Sequence, residues 1–499
     1  MRTAPTAIIG LFVWTAASGL PAADPPAPAE VSSALRRATE FFHGRVARQG
    51  GYVYAYSSDL SLSEGEGTTD EQTIWVQPPG TPAVGEAFLD AYAATGDRIH
   101  LDAARDAGWA LVLGQLQSGG WFYSIRFNPE LRKKLDYRFD LEGNQRQERV
   151  SPKDRAAAAG WNDWKRRKYE GNLTILDDDV TQAATRFLIR LDRVTGSGDE
   201  TIHEAALLAL TSLLGAQYPN GAWSASYDRL PQLQPSAEDY PVTKASYPDR
   251  WSPTWPKDFP GCYVTNDDLI ADAIDTMLFA WQEYDDKRYL ASAKRAGDFL
   301  LRAQMPPPQP AWAQQYDSQM QPCWSRAFEP PAVSGLESQN IIAALMRLAE
   351  ATGEETYLEP IPAALDYLES SLRPDGRLAR FYELKTNRPI YFTRRNGRHE
   401  LTSDDNRLAT GYGYIVDSRL DELRREYERV KSHRPASDQP TPARLSAEAR
   451  RVLDAQDARG AWIEQGRLRH HKVEPEGGVI NSSIFAANMT LLSQYLNTD

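Results

Sequence analysis

The feature that most constrains this chain is an internal repeat. It occurs six times, at irregular intervals of roughly 65 to 100 residues, the spacing of helix-hairpin units that carry insertions. The copies read FFHGRVARQGGYVYAYS from Phe41, LVLGQLQSGGWFYSI from Leu111, LLGAQYPNGAWSASY from Leu213, FLLRAQMPPPQPAWAQQYD from Phe299, YLESSLRPDGRLARFYE from Tyr367 and VLDAQDARGAWIEQGR from Val452. Their shared skeleton is an apolar helix end, often a glutamine, a Gly or Pro turn, and then Trp, Tyr or Leu. A glycine just past a helix takes the left-handed cap conformation, and the aromatic after it can fold back on the exposed helix end. Each unit is therefore expected to finish in a capped helix and a pinned loop.

Between the copies, the segments Val84 to Thr95, Val180 to Thr195, Asp268 to Tyr284 and Ser338 to Thr352 place apolar residues at the helical period. Helices with one polar and one apolar face, alternating six times over, predict an all-α fold: an α/α toroid of about six helical hairpins, inner helices around a central cavity and outer helices shielding them. The same periodicity also fits an open helical solenoid that binds protein partners. In a ring the turns all fall on one end, and residues that do chemistry are expected there.

Composition bounds the partners. With 41% hydrophobic residues the 499-residue chain can bury a sizeable interior. Its net charge of -12 argues against nucleic acid or a membrane surface as partner, since the average field repels both. An anionic ligand needs a local basic patch, and residues 373 to 407 supply a candidate, nine Arg or Lys against five Asp or Glu, although a solvated basic face reads the same way. At the N-terminus, Met1-Arg2, an apolar run from Ala7 to Leu20 and then Pro21-Ala22-Ala23 have the pattern of a secretory signal. Residues 1–23 are thus expected to direct a soluble protein to the periplasm or outside the cell. There Cys262 and Cys323 are permitted a disulfide, while two buried thiols are equally economical.

Two acidic groups open helices: Asp177-Asp178-Asp179 and Asn266-Asp267-Asp268. Carboxylates there cap helix amides and favour the helix dipole. Clustered Asp and Asn oxygens are also what Ca²⁺ takes as ligands, although neither group matches an EF-hand loop. The stretch Trp324 to Ser338 sets Arg326, Glu329, Glu337, Ser334 and Ser338 on a Pro- and Gly-braced loop before a helix, with capping by Ser334 or Ser338 explaining part of it. Arginine forks recognise carboxylates bidentately, which suits a polyuronate better than a neutral sugar. No Gly-x-Ser-x-Gly elbow, phosphate-cradling Gly loop or Cys/His zinc spacing is present.

The runs LDDDVTQAATRFLIRL, QYPNGAW, TNDDLIADA, AWAQQYD, RAFEPPAVSGLESQNI, NRPIYF and NRLATGYGY, in that order between Leu173 and Tyr414, resemble the pectate lyases of polysaccharide lyase family 10. The most specific element is Arg-Ala-Phe-Glu-Pro-Pro-x-x-Ser-Gly-x-Glu-Ser at Arg326 to Ser338. The resemblance implies an α/α toroid, export, Ca²⁺ dependence and anti β-elimination on polygalacturonate. It makes Asp177 and Asp267 the metal ligands and Arg326 the base, with Asp178, Asn266, Glu329, Arg394 and Arg407 binding substrate in a monomer. Asp178 is commonly Asn in that family, and the family's His in AWAQQYD is here Tyr316, a change expected to alter one subsite. Residues 24–172 are expected to be N-terminal hairpins of the toroid, and 173–499 its pectate-lyase-like part. The alternatives are a uronyl hydrolase using Asp177 with Asp267 or Glu329, and a carbohydrate-binding protein whose acidic groups only cap helices.

Overall fold

The computed structural model describes residues 25–498 apart from 147–169, 228–235, 239, 257–262 and 436–440. The expected leader and Cys262 lie outside the described residues. Among those that are described, the long helices are α1 (Pro28–Phe41), α2 (Thr81–Thr95), α3 (Arg98–Gly114), α4 (Val180–Val194), α5 (Glu200–Ala216), α6 (Leu269–Tyr284), α7 (Lys287–Ala303), α8 (Gly335–Thr352), α9 (Ile361–Ser370), α10 (Leu420–Lys431), α11 (Pro442–Asp454) and α12 (Ser482–Leu496). The four segments with clear helical period are α2, α4, α6 and α8. These pack in sequence, α12 on α2, α2 on α4, α4 on α6, α6 on α8 and α8 on α10, as the inner ring. The helices between them in the chain, such as α1, α3 and α5, pack on one another and on the inner helices from outside.

Short strands at one end repeat the logic. Except at α10, a strand that precedes an inner helix pairs, antiparallel, with the strand that follows the next outer helix. Thus β3 (Thr73–Trp75) pairs β4 (Ser124–Arg126), β5 (Thr174–Ile175) pairs β6 (Ser226–Tyr227), β7 (Tyr263–Val264) pairs β8 (Gln315–Tyr316), and β9 (Ala332–Ser334) pairs β11 (Phe381–Glu383). The same pairing joins the termini: β1 (Ala55–Ser57), with β2 (Ser63–Glu64) on its other edge, pairs β15 (Val479–Asn481). Helices α12 and α1 are therefore a hairpin whose two halves come from opposite ends of the chain. This closes the ring, and the open solenoid is ruled out. The remaining strands extend one side of the mouth: β10 (Leu378–Ala379) pairs β14 (Ile415–Val416), and β12 (Pro389–Arg395) links β11 to β13 (Arg398–Thr402).

The repeat is the hardware of closure. Indole Nε1 of Trp121, Trp223, Trp312 and Trp462 donates to the carbonyls of Leu111, Leu213, Leu300 and Val452 at 2.8 to 2.9 Å. Each ring thus folds back on its own outer helix, as expected. The repeat glutamine reaches both ways. Gln115 Nε2 donates to Gly119 O in its own turn and to Ala205 O on the next outer helix, and Gln217 does the same with Gly221 O and Ser292 O. Gln456 bonds Ala34 O of α1, so it staples the last outer helix to the first. The expected glycine cap is corrected, however. Outer helices α3 and α5 end in extended backbone at Gln115 and Gln217, and the left-handed glycine comes later, in the turn. At Gly221 (φ 98°) a Cβ would lie 1.9 Å from Arg295 O, so the glycine is required by close approach of the next outer helix as well as by its backbone angle. The left-handed cap glycine belongs instead to inner helices, at Gly96 and Gly353.

Tyr316 also has a structural place. It is fully buried, its hydroxyl accepts from Ala313 N at 2.8 Å and donates to Ala303 O at 2.7 Å, and Tyr382 repeats the pattern with Ala379 N and Ser371 O. The expectation that Tyr316 alters a subsite is therefore corrected: its ring pins the turn.

Candidate functional site

Past each repeat aromatic the chain runs extended beside the start of an inner helix. The carbonyl two residues after the repeat's Trp, Tyr or, at Leu378, Leu accepts from that start: Tyr54 O from Ser482 N, Tyr123 O from Val76 N, Ala225 O from Leu176 N, Gln314 O from Thr265 N and Arg380 O from Gly335 N, at 2.8 to 3.0 Å. This position is set by the backbone at the mouth of the ring. Its side chain is free to vary without disturbing the scaffold.

Two of the inner-helix starts are the acidic groups. Each makes a tight turn with two successive residues in the left-handed region, Asp178 and Asp179 (φ 55° and 57°) and Asp267 and Asp268 (φ 47° and 60°). Such angles are costly for residues with a Cβ and persist where surroundings enforce them. Neither Asp179 nor Asp268 caps its helix with its side chain, so the simple capping reading is overturned. The two turns pack against each other, which sets Asp177 and Asp267 facing across the mouth. Ser334, in contrast, does cap α8, accepting from Leu336 N and Glu337 N.

The second acidic turn is heavily bonded. Arg380 Nη2 lies 3.3 Å from Asp267 Oδ1, 3.2 Å from Asn266 Oδ1 and 2.6 Å from Glu337 Oε1. Gln314 Nε2 donates to Asn266 Oδ1 (2.9 Å) and to Glu337 Oε1 (2.8 Å). Arg326 Nη2 reaches Asp267 Oδ2 at 3.6 Å, while Nε bonds Glu329 Oε2 at 2.7 Å and Nη2 closes a second bond to the same carboxylate. Tyr412 spans the two arginines: its hydroxyl donates to Glu329 Oε1 at 3.1 Å and its ring lies 4.5 Å beneath the Arg380 guanidinium. Glu329 and Glu337 are 1% exposed and Arg380 is 8%, whereas Arg326 is 35% exposed. Arg326 is thus the cation of this cluster open to a ligand.

In the first acidic turn Asp179 pairs with Arg186 of α4 at 2.6 Å, and Asp177 has no such partner. Asp177 Oδ1 is buried with no hydrogen-bond partner among the described residues. Burial, and then the charge of Asp267, push its carboxyl from the ordinary 3.8 up to about 8, against the pull of Arg326. Asp178 is raised by burial and by Asp177. Asp267 is raised by burial, opposed by Arg380 and Arg326. Glu329 goes the other way: Arg326 outweighs its burial and holds it below the ordinary value. Reciprocally, Glu329 outweighs the burial of Arg326 and holds that guanidinium firmly protonated.

The structure therefore brings together Asp177, Asp178, Asn266, Asp267, Arg326 and Glu329. Arg394 and Arg407 stand apart, exposed on β12 and on the loop after β13. Arg394 faces His399 across the ladder, and the His399 ring packs on Phe328 at 4.9 Å, so this hairpin flanks the Arg326 loop. Sequence reasoning did not commit to Gln314, Glu337, Arg380 and Tyr412, or to Glu66, Tyr54 and Tyr123, which reach Asp178 from the N-terminal side. The position two after the repeat's Trp, Tyr or Leu would have found four of them. The oxygen-only donors suit a hard cation such as Ca²⁺, and the orphan oxygen of Asp177 fits one. Among the described residues, no group of three or more His, Cys, Asp or Glu has the geometry to hold a metal ion by itself.

Residues 281–376 match the family model of the pectic acid lyases. The matched stretch contains Gln314, Arg326, Glu329 and Glu337, and neither acidic turn. No curated protein matches the chain. Among solved structures, a variant of a Family 10 polysaccharide lyase from Cellvibrio cellulosa in complex with trigalacturonic acid shares 17% identity at a TM-score of 0.43, covering 69% of this chain and 98% of that chain. A cellobiose 2-epimerase from Bacillus thermoamylovorans B4167 shares 14% at a TM-score of 0.45, covering 95% and 99%. A D-mannose isomerase shares 12% at 0.45, covering 96% and 100%. What the chain shares with the pectic acid lyases is thus the segment that carries the Arg326 loop, while the ring rests on its own packing.

Proposed function

We propose that this protein is a polysaccharide lyase that cleaves a de-esterified polyuronate, of the polygalacturonate class, by Ca²⁺-assisted β-elimination, and that residues 1–23 export it. The observation that carries the reading is the half-exposed Arg326 set over facing Asp177 and Asp267, on the one stretch that matches the pectic acid lyases. Asp177 and Asp267 would hold the cation, with Asp178 beside them. Because these side chains do not close a shell alone, carboxylates of the substrate complete it. A bound divalent ion supplies electrostatic stabilisation where charge builds on the uronate carboxylate.

The chain's own part follows from elimination. Loss of the proton next to the uronate carboxylate creates negative charge, so groups complementary to that charge accelerate the step. Arg326 would take the proton. Base action needs its own proton held weakly, yet Glu329 and Asp267 hold it strongly. Positive charge brought against the carboxylates opposes that hold, and this is why the reading couples Arg326 to the acidic turns. Arg394 and Arg407 flank the loop and would engage substrate carboxylates further along the chain.

A hydrolase is the second reading, favoured by one observation: Asp177 is pushed up and Glu329 down, the divergence an acid and base pair shows. The mass of the products separates the two. Elimination gives fragments whose masses sum to that of the substrate, one bearing a double bond, whereas hydrolysis adds a water. The lyase reading expects the former from the intact protein and a loss of about a thousandfold in kcat for Arg326→Ala. Water-added products would replace it with the hydrolase.

A further inference from the structure

The repeat places five residues at equivalent points around the mouth: Tyr54, Tyr123, Ala225, Gln314 and Arg380. Gln314 and Arg380 serve the site directly, bonding Asn266, Asp267 and Glu337. Ala225 has no reach. Tyr54 and Tyr123 remain, and both come from residues outside the stretch that matches the pectic acid lyases.

Their geometry is fixed from two sides. Trp121 O accepts from Ile175 N at 2.9 Å and Trp121 N donates to Thr181 Oγ1 at 3.3 Å, so the segment leading to Tyr123 is tied to the chain just before and just after Asp177 to Asp179. The Tyr123 side chain is half-buried and lies in the field of Asp177, Asp178, Glu66 and Arg326. Tyr54 is also half-buried, lies in the field of Glu66 and Asp178, and sets its ring 5.7 Å from Trp75. Its hydroxyl is buried against the Trp75 side chain.

We propose that Tyr54 and Tyr123 form a saccharide-positioning pair, a subsite on the N-terminal wall that takes a sugar ring of the polyuronate by its apolar face and its hydroxyls rather than by its carboxylate. The chemistry distinguishes this wall from the opposite one. On the Arg326 side guanidinium groups read charge; on the tyrosine side aromatic rings cover C–H surface while the Tyr123 hydroxyl meets a sugar hydroxyl. A subsite of this kind extends the groove beyond the reacting bond, so its contribution appears in binding of longer chains.

The inference rests on the lyase reading, and the test separates their failures. Full-length protein is assayed on polygalacturonate and on galacturonate oligomers of increasing length, as wild type, Tyr123→Ala, Tyr54→Ala and the corresponding Phe variants. Tyr123→Leu keeps bulk without a ring if alanine loosens the wall. We expect KM on the long substrate to rise about tenfold in Tyr123→Ala, roughly one lost aromatic contact, with kcat held and the shortest cleaved oligomer unaffected. Tyr123→Phe retains the stacking and most of the affinity. If wild type gives no unsaturated product, the lyase reading falls first. If it does and KM is unchanged in both alanine variants and in Tyr123→Leu, the positioning pair is overturned alone. A fall in melting temperature that tracks the loss at every chain length also overturns it, since the tyrosines would then only pack.

Discussion

The two acidic turns of this ring have the same backbone, and their first carboxylates have different partners. Both open an inner helix, both hold two successive aspartates in the left-handed region, and they face each other across the mouth. Around Asp267 the protein supplies its own counter-charge through Arg380 and Arg326, and the Asn266 amide donates to the same carboxylate. Around Asp177 it leaves a buried oxygen unbonded and a carboxyl that holds its proton to about pH 8. The comparison separates structure from function: a paired carboxylate organises the site, and an unpaired one keeps its proton until a cation displaces it.

Substitutions at the two positions should therefore differ in kind. Of the two, the larger effect on catalysis is expected from Asp177→Asn, a loss of about a hundredfold or more in kcat/KM together with the response to Ca²⁺, while the cation-free protein melts no lower than wild type. Calorimetry with and without the ion checks both halves. Next, Asp267→Asn should destabilise the fold itself, by about 2 kcal/mol in urea unfolding, because Arg380 and Arg326 lose their shared anion. Equal stability in the two variants would break the comparison.

The pH dependence sharpens it. In the cation-free protein the folded chain keeps the Asp177 proton to about pH 8 while an unfolded aspartate releases it near the ordinary 3.8. Between those values the folded state binds more protons than the unfolded one, so stability is fullest below about pH 4 and declines as pH rises to about 8. Asp177→Asn should flatten that decline in melting temperature, and Ca²⁺ should reverse it. The smallest effect lies in the scaffold that both turns share: Trp223→Phe removes the bond to Leu213 O and should cost about 1 kcal/mol of unfolding free energy with kcat unaltered.

Much of this was legible in the sequence, and the reasons for the remainder are physical. Helix period located four of the inner helices to within a few residues, and the repeat foretold the tryptophans that fold back on their own helices. Ring closure was not readable from period, because it depends on Gln456 bonding Ala34 O and on β1 pairing β15, contacts between opposite ends of the chain. The Arg326 loop announced itself by composition. Arg380 did not, since it meets Asn266 across 114 residues and its meaning comes from the repeat position it occupies. The acidic groups looked like helix caps because the left-handed pair that turns them into the mouth is a tertiary outcome that aspartate's own preference only weakly foreshadows. No helix among the described residues is long and apolar enough to cross a membrane.

The most direct test of the account is the ultraviolet absorbance of an unsaturated uronate, followed while the intact protein acts on polygalacturonate, first with Ca²⁺, then with chelator, then with Ca²⁺ restored. The account predicts a rise that stops on chelation and resumes on restoration. A flat trace in all three stages, with new sugar ends nonetheless released, would contradict it.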